Sequence, residues 1–168
     1  MKTNSKINVG ILGGAGYTGG ELIRLLLNHP SVTIQFVHSR SNAGLLLSEV
    51  HTDLIGDTYL RFTDTIQTTI DVLFLCLGHG ESIKVISELN LNKTIKIIDL
   101  SQDFRFYSDT NSSFVYGLPE LNREQIQQAR NIANPGCFAT AIQLALLPLA
   151  IKGLIQSEVH VSGITGST

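Results

Sequence analysis

The sequence predicts a doubly wound α/β fold, in which helices cover both faces of a mainly parallel sheet. Two observations predict it. Short apolar segments with strand character alternate with amphipathic helical segments along most of the chain. The first apolar segment, 7–12, also runs directly into a glycine-rich turn that opens a helix. The 168 residues are enough to bury one core of this kind.

The individual elements follow from the same alternation of apolar and polar residues. One stretch, 102–121, has aromatic and polar residues without clear periodicity, and its aromatic content argues against disorder. Strands are predicted near 7–12, 33–38, 58–63, 71–77, 95–99, 131–133 and 157–164, and helices near 18–28, 81–90, 122–130 and 138–152.

The glycines after the first strand have the spacing G-x-x-G-x-x-G at Gly13, Gly16 and Gly19. The first permits a tight turn, the second lets the backbone approach a diphosphate, and the third lets the helix lie close to the strand. The helix N-terminus favours the anion, so we predict a Rossmann-like dinucleotide site. The alternative is a glycine-rich turn that binds nothing. The predicted contacts are Gly13, Gly14, Ala15, Gly16, Tyr17, Thr18 and Gly19.

The second strand ends in a segment that indicates which dinucleotide is bound. An NAD site usually has an acid there, which binds the ribose 2′-hydroxyl. This chain has Ser39, Arg40 and Ser41 instead, and the next acid is Glu49. A guanidinium between two hydroxyls suits a 2′-phosphate, so the segment predicts NADP(H). The alternative is a solvated loop arginine.

One cysteine has the setting of a nucleophile. Cys137 follows the turn residues Pro135 and Gly136 and precedes an apolar, alanine-containing run, 139–150, so it is predicted to lie in the first turn of a helix. Free N–H groups and the helix dipole there favour the thiolate and can bind an oxyanion. The alternative is a small buried residue that begins a helix. The glycine turn elsewhere in the chain favours the nucleophile.

The composition is that of a soluble cytoplasmic enzyme domain. The net charge of −2 and the pI of about 6.2 give no indication of nucleic-acid binding. No apolar run is long enough for a membrane span, and no signal peptide is apparent. Cys76 lies in an apolar strand and is interpreted as core. The two cysteines and five histidines lack metal-ligand spacing, so no metal is expected.

Four segments resemble the semialdehyde dehydrogenase family, and in particular the N-terminal part of its arginine-biosynthesis branch, the N-acetyl-γ-glutamyl-phosphate reductases. They occur in the family's order and are spread over most of the chain. The last two are fairly specific to these reductases. The segments are GGAGYTGGE at 13–21, DLSQDFR at 99–105, YGLPE at 116–120 and NPGCFAT at 134–140.

The resemblance implies an NADPH-dependent oxidoreductase acting on a small acyl phosphate. Cys137 would displace phosphate to form a thioester, which hydride from NADPH would reduce to the semialdehyde. The loop Gly78, His79 and Gly80 is expected to line the cofactor, although the histidine itself is not expected to be catalytic. Arg105 is a candidate clamp for phosphate or carboxylate, and Asn134 and Gly136 are expected substrate contacts. The alternative for Arg105 is an ion pair with Asp99, Asp103 or Glu120.

The predicted domains are an NADP-binding domain at 1–152, ending in the helix that carries the nucleophile, and the start of a catalytic and dimerisation domain at 153–168. In the family, a second domain supplies the acid/base histidine and most subunit contacts, so the full-length protein is expected to be a homo-oligomer. The chain itself is expected to be a fragment that binds cofactor but turns over weakly.

Three other functions compete with this one. A short-chain dehydrogenase needs Tyr-x-x-x-Lys, and no tyrosine here has a lysine four residues later. A non-catalytic nucleotide sensor remains open and would not need a reactive Cys137. An aspartate-semialdehyde dehydrogenase is the nearest enzymatic alternative. The Pro135-Gly136 pair and the segment 116–120 favour the glutamyl substrate, whose N-acyl group the sequence does not reveal.

Overall fold

The fold, described from a computed structural model, is a single seven-stranded sheet with helices packed on it. The structure describes residues 6–89, 91–106 and 113–164. The strand order is β3-β2-β1-β4-β5-β7-β6, and every strand pair is parallel. The strands are β1 (Ile7–Leu12), β2 (Val32–His38), β3 (Phe62–Thr63), β4 (Val72–Leu75), β5 (Lys96–Asp99), β6 (Phe114–Tyr116) and β7 (Asn131–Ala133). The helices are α1 (Tyr17–Leu27), α2 (Leu47–Val50), α3 (Glu81–Glu88), α4 (Pro119–Gln128) and α5 (Cys137–Ile151), with a 3₁₀ turn at Thr52–Leu54.

The sheet is doubly wound because its order reverses between β1 and β4. Apolar residues on alternate sides of the strands form two cores. Val9 and Ile11 of β1 pack with Ile23 of α1 on one face, whereas Leu73 and Leu75 of β4 pack with the apolar side of α3 on the other. Ligands of such sheets bind beyond the carboxyl ends of the strands, at the point where the order reverses.

The carboxyl ends of the strands form one straight edge. Leu12 of β1 pairs with His38 of β2 on one side and with Leu75 of β4 on the other. Leu75 in turn pairs with Asp99 of β5, and Asp99 pairs with Ala133 of β7. The segments that follow these strands therefore lie side by side along this edge. They are the glycine turn, the serine–arginine loop, the Gly78–Gly80 loop, the segment 100–105 and the segment leading to Cys137.

Several predicted elements differ from the structure. The strand predicted at 157–164 is wrong, because these residues are exposed and pair with no strand in the described part of the chain. The strand predicted at 58–63 is reduced to β3. Strand β4 ends before Cys76, whose N–H still donates to the Leu12 carbonyl. Asn90, at the end of the predicted helix 81–90, and residues 165–168 of the second predicted domain lie outside the described residues.

Two elements were missed. Strand β6 lies in the stretch 102–121 that lacks periodicity, and the Phe114 ring stacks on that of Phe104 with centroids 3.9 Å apart. A three-residue edge strand is too short to produce a recognisable alternation. The four-residue helix α2 was missed for the same reason. No helix in the described residues is long and apolar enough to cross a membrane.

Candidate active site

The glycine turn has the close packing that its sequence spacing predicts. Gly13 has a φ of +75°, and a Cβ there would overlap the Cys76 carbonyl at the end of β4. A Cβ on Gly19 would lie 2.7 Å from the Gly13 carbonyl oxygen, so α1 touches the turn. A Cβ on Gly16 would meet nothing closer than 3.6 Å. The first and third glycines are therefore required by the fold, whereas Gly16 faces open space.

The start of α1 has the character of an anion site. Gly16 is its N-cap residue, and no side chain in the described part of the chain caps the first turn. Tyr17, at the first helical position, is 72% exposed, and Thr18 is also exposed. The first N–H groups of an α-helix have no partners within the helix, so this end offers donors to a ligand. The turn and the helix start fit a bound dinucleotide diphosphate.

The serine–arginine loop is held by a residue that the sequence did not reveal. The Asn42 amide donates to the Ser39 hydroxyl at 3.0 Å and to the Ser41 hydroxyl at 3.1 Å. Ser39 is buried, whereas Arg40 and Ser41 are exposed. Burial, followed by the charge of Arg40, lowers the pKa of His38, which keeps that imidazole neutral at pH 7. Arg40 is therefore the cation at the end of β2.

The Gly78–Gly80 loop is fastened by Asp103, another residue that sequence reasoning did not single out as functional. One carboxylate oxygen accepts the Gly80 N–H at 2.7 Å, and the other accepts the Ser82 N–H at 3.1 Å. Gly80 is the N-cap of α3 and has a φ of +83°. Asp103, which lies on a distant loop, thus accepts hydrogen bonds from N–H groups at the start of α3 that have no partner within the helix. The Gln102 N–H donates to Nδ1 of His79 at 3.3 Å, which gives this histidine a structural contact.

A buried carboxylate lies below this loop. Asp99 ends β5, has no exposed surface, and accepts the hydroxyl protons of Ser82 at 2.5 Å and Ser101 at 2.7 Å. Burial raises its pKa, and the two hydroxyl hydrogen bonds oppose that effect. The Ser101 hydroxyl also accepts the Asp103 N–H at 3.0 Å. Asp99 and Ser101 therefore shape the loop.

Arg105 reaches from this loop to the segment that carries Cys137. Its Nε donates to the Asn134 carbonyl at 3.0 Å and its Nη2 to the Leu100 carbonyl at 2.9 Å. A Cβ on Gly136 would lie 2.9 Å from Nη1, so the guanidinium packs directly against the backbone before Cys137. Among the described residues, no ion pair involves Arg105. The ion pairs weighed for Arg105 are therefore not formed in this part of the chain.

Asn134 and Gly136 have backbone roles that the sequence did not predict. The Asn134 N–H donates to the Asp99 carbonyl at 2.7 Å, and its side-chain amide donates to the Pro135 carbonyl at 3.0 Å. The Asn134 side chain therefore braces the turn that precedes Cys137. Gly136 is the N-cap of α5, and its carbonyl accepts the Thr140 N–H at 2.9 Å.

The two thiols have opposite surroundings. Cys137 is exposed and is the first residue of α5, whose N-terminus has no side-chain cap. Cys137 is thus not buried among the described residues, and its role as the nucleophile stays a prediction. Cys76 is half-buried at the end of β4, and burial, followed by the nearby Asp99 carboxylate, raises its pKa to about 12. Cys76 is a protonated, unreactive thiol at physiological pH.

A pocket of about 450 Å³ opens beside the start of α5. Arg105 and Gln102 line one side, and Gly136 and Gln143 of α5 line the other. The Tyr116 hydroxyl donates to the Gln143 side-chain oxygen at 3.1 Å across it. The pocket combines amide, hydroxyl and guanidinium groups with apolar walls, as a site for a small polar acyl compound requires.

A comparison of the sequence with known protein families identifies the family of this chain. Residues 8–129 match the family described as semialdehyde dehydrogenase, NAD binding domain. The chain belongs to the semialdehyde dehydrogenase family. The matched range includes the glycine turn, the serine–arginine loop and Arg105. The family resemblance and the doubly wound fold predicted from the sequence are both confirmed.

Two curated relatives of this chain share one name. The N-acetyl-gamma-glutamyl-phosphate reductase of Azobacteroides pseudotrichonymphae is 59% identical over 163 residues, which covers 96% of this chain and 51% of that protein. The reductase of Christiangramia forsetii is 56% identical over 162 residues, which covers 96% of this chain and 50% of that protein. The chain spans about half the length of the curated relatives it matches.

Solved structures agree with the fold. An aspartate semialdehyde dehydrogenase from Francisella tularensis superposes with a TM-score of 0.63 at 20% identity, covering 88% of this chain and 41% of that one. An aspartate semialdehyde dehydrogenase with NADP from Candida albicans gives a TM-score of 0.62 at 18% identity, covering 88% of this chain and 48% of that one. At these identities the likeness concerns the fold alone.

Proposed function

We propose that this chain forms the cofactor-binding and nucleophile-bearing part of an NADPH-dependent N-acetyl-γ-glutamyl-phosphate reductase, an enzyme of arginine biosynthesis. The observation that carries the proposal is the exposed Cys137 at the uncapped start of α5, beside a largely apolar pocket that Arg105 lines. The names of relatives 56–59% identical to the chain support the choice of substrate.

The proposed covalent step belongs to Cys137. Its Sγ attacks the acyl carbon of the γ-acyl phosphate, a carbon–sulfur bond forms, the bond from carbon to the bridging oxygen breaks, and phosphate leaves. The first N–H groups of α5, which no side chain of the described residues caps, would stabilise the negative charge that develops on the carbonyl oxygen. Splitting the displacement into two steps through a thioester lowers the barrier of each.

Arg105 is proposed to hold the substrate beside the thiol. The recorded hydrogen bonds of its guanidinium use Nε and Nη2, and Nη1 lies against Gly136. Two backbone carbonyls therefore fix its plane in advance, which lowers the entropy cost of binding an anion. A phosphate or carboxylate in the adjacent pocket would find an oriented cation. Gly136 lines this pocket and Asn134 braces the turn before Cys137, and both are proposed to contact the substrate.

The glycine turn and α1 are proposed to hold the cofactor. Gly13 and Gly19 build the turn, the open space at Gly16 admits the diphosphate, and the uncapped helix start supplies donors. When bound, the nicotinamide cofactor supplies the hydride for the reduction. Ser39, Arg40 and Ser41 are proposed to bind the 2′-phosphate and so to select NADPH, and Gly78, His79 and Gly80 to line the cofactor.

Replacing Arg40 by alanine tests this cofactor selection. NADPH binding should weaken by roughly 1.5–3 kcal/mol, the scale of a hydrogen bond to a charged group, because the 2′-phosphate loses its cation. NADH binding should change little. Titration calorimetry with both cofactors measures the difference, and Arg123→Ala, on the exposed side of α4, is the matched control. Equal losses for the two cofactors would contradict 2′-phosphate recognition by Arg40.

The substrate is tested with the protein expressed from its whole reading frame. We expect phosphate-dependent reduction of NADP⁺ with N-acetylglutamate semialdehyde and at least roughly 10²-fold lower kcat/KM with aspartate semialdehyde, because pockets that bind polar groups reject substrates lacking them. If NADP⁺ reduction is faster with aspartate semialdehyde, the function is instead that of an aspartate-semialdehyde dehydrogenase, the nearest alternative. Cofactor binding without either reaction would favour a nucleotide sensor. Homo-oligomerisation and a cytoplasmic location stay predictions.

A further inference from the structure

His51 contacts the glycine turn from a part of the chain that the dinucleotide motif does not include. It follows α2, and its Nε2 lies 2.8 Å from the Gly14 carbonyl oxygen, 37 residues away in sequence. A carbonyl oxygen only accepts, so Nε2 carries the proton and donates. The imidazole therefore has a defined tautomer.

The ring is held between α1 and β3. A Cβ on Gly20 would stand 2.6 Å from the ring atoms Cε1 and Nδ1 of His51, so α1 touches the imidazole at this glycine. On another side, the centroid of the Phe62 ring lies 6.1 Å away. The second glycine of the Gly19-Gly20 pair, to which the dinucleotide motif gives no role, thus makes room for His51.

The hydrogen bond from His51 fixes the orientation of one peptide group in the turn. In a trans peptide the C=O and N–H bonds point in opposite directions, and the described chain has no cis peptides. Because the Gly14 carbonyl points at His51, the Ala15 N–H of the same peptide points away from it. The preceding peptide is fixed separately, since the Gly14 N–H donates to the His38 carbonyl at 3.2 Å.

We propose that His51 is a positioning residue of the cofactor site, which aims the Ala15 N–H at the diphosphate by holding the Gly14 carbonyl. The proposal rests on the dinucleotide site proposed above. His51 acts through the turn and does not touch the cofactor. Without its donor the Gly14–Ala15 peptide can rotate, and binding must then select the competent orientation at a cost in affinity.

The first test compares two substitutions of similar length. His51→Gln retains an amide donor near the position of Nε2, whereas His51→Met fills the space without one. We expect His51→Met to weaken NADPH binding roughly tenfold, as expected for a lost hydrogen bond that leaves a polar group unpaired, and His51→Gln to restore most of it. The change in NADPH fluorescence gives the affinity. His29→Met, at the other end of α1, is the control.

The second test is spectroscopic and needs no cofactor. Long-range ¹⁵N–¹H spectra of the wild-type protein should show the Nε2–H tautomer for His51, and the Ala15 amide resonance should move in His51→Met but return in His51→Gln. A wild-type protein that fails to bind NADPH would overturn the dinucleotide site and this proposal with it. Wild-type binding together with equal affinity in His51→Met, or an Nδ1–H tautomer, would overturn the role of His51 alone.

Discussion

Cys137→Ser should abolish turnover, with a loss of phosphate-dependent NADP⁺ reduction of roughly 10³-fold or more in the protein from its whole reading frame. A serine hydroxyl is un-ionised at neutral pH and is a much weaker nucleophile than a thiol at the start of a helix. NADPH affinity should stay within about twofold, since Cys137 belongs to a different helix from the glycine turn.

Acid quenching and mass spectrometry should trap the acyl group on the peptide that contains Cys137. Cys76→Ala is the matched control and should keep both the acylation and the turnover. Retained turnover in Cys137→Ser, or an acyl group on another residue, would contradict the proposed nucleophile. Retained acylation without turnover in the wild-type protein would locate the defect in the later proton-transfer steps.

The same pair of thiols should be separable by alkylation of the folded protein. Iodoacetamide at pH 7.5 should modify Cys137 and leave Cys76 unmodified. The Cys76 thiol has its pKa raised to about 12, so it lacks thiolate at that pH, and it is half-buried. Raising the pH towards 10 should leave Cys76 protected. Modification of Cys76 at a similar rate would mean that the end of β4 opens readily.

The sequence predicted those parts of the site that are local in the chain. Gly13, Gly19 and Cys137 could be interpreted because a strand, a turn and a helix adjoin within a few residues of the chain. The exposed end of α5 agrees with the setting expected for a nucleophile. Strand–helix alternation was sufficient for the doubly wound fold, since consecutive parallel strands need crossover connections.

The parts that escaped prediction depend on contacts between distant segments. Asp103 satisfies N–H groups that lie about twenty residues earlier in the chain, and His51 contacts a carbonyl 37 residues away. Nothing in the local pattern of an acid or a histidine identifies such a partner. The prediction of a strand at 157–164 failed for a related reason. The alternation of apolar Val159 and Val161 with other residues indicates a strand only where another strand is available to pair with it.

The glycine turn allows folding and cofactor binding to be separated by two similar substitutions. Gly13→Ala should lower the free energy of unfolding by about 2–4 kcal/mol, because alanine is strained at a φ of +75° and its Cβ would overlap the Cys76 carbonyl. Gly16→Ala should lower it by no more than about 1 kcal/mol, since its φ of −78° suits alanine and its Cβ meets nothing closer than 3.6 Å, and the only cost is that alanine is a poorer N-cap residue than glycine.

Gly16→Ala should impair cofactor binding much more than it affects stability, because a methyl group on Gly16 occupies the open space proposed for the diphosphate. NADPH affinity should fall roughly tenfold or more in Gly16→Ala, the scale of an overpacked contact. Urea denaturation measures the first quantity and NADPH titration the second. Gly56→Ala is the matched control for strain alone, since Gly56 has a φ of +91° and an added Cβ would meet no described atom within 4 Å beyond its chain neighbours, and it should cost about 1–2 kcal/mol. If Gly16→Ala binds NADPH as tightly as the wild type, the diphosphate does not approach the turn at Gly16, and the cofactor site must be sought elsewhere along the sheet edge.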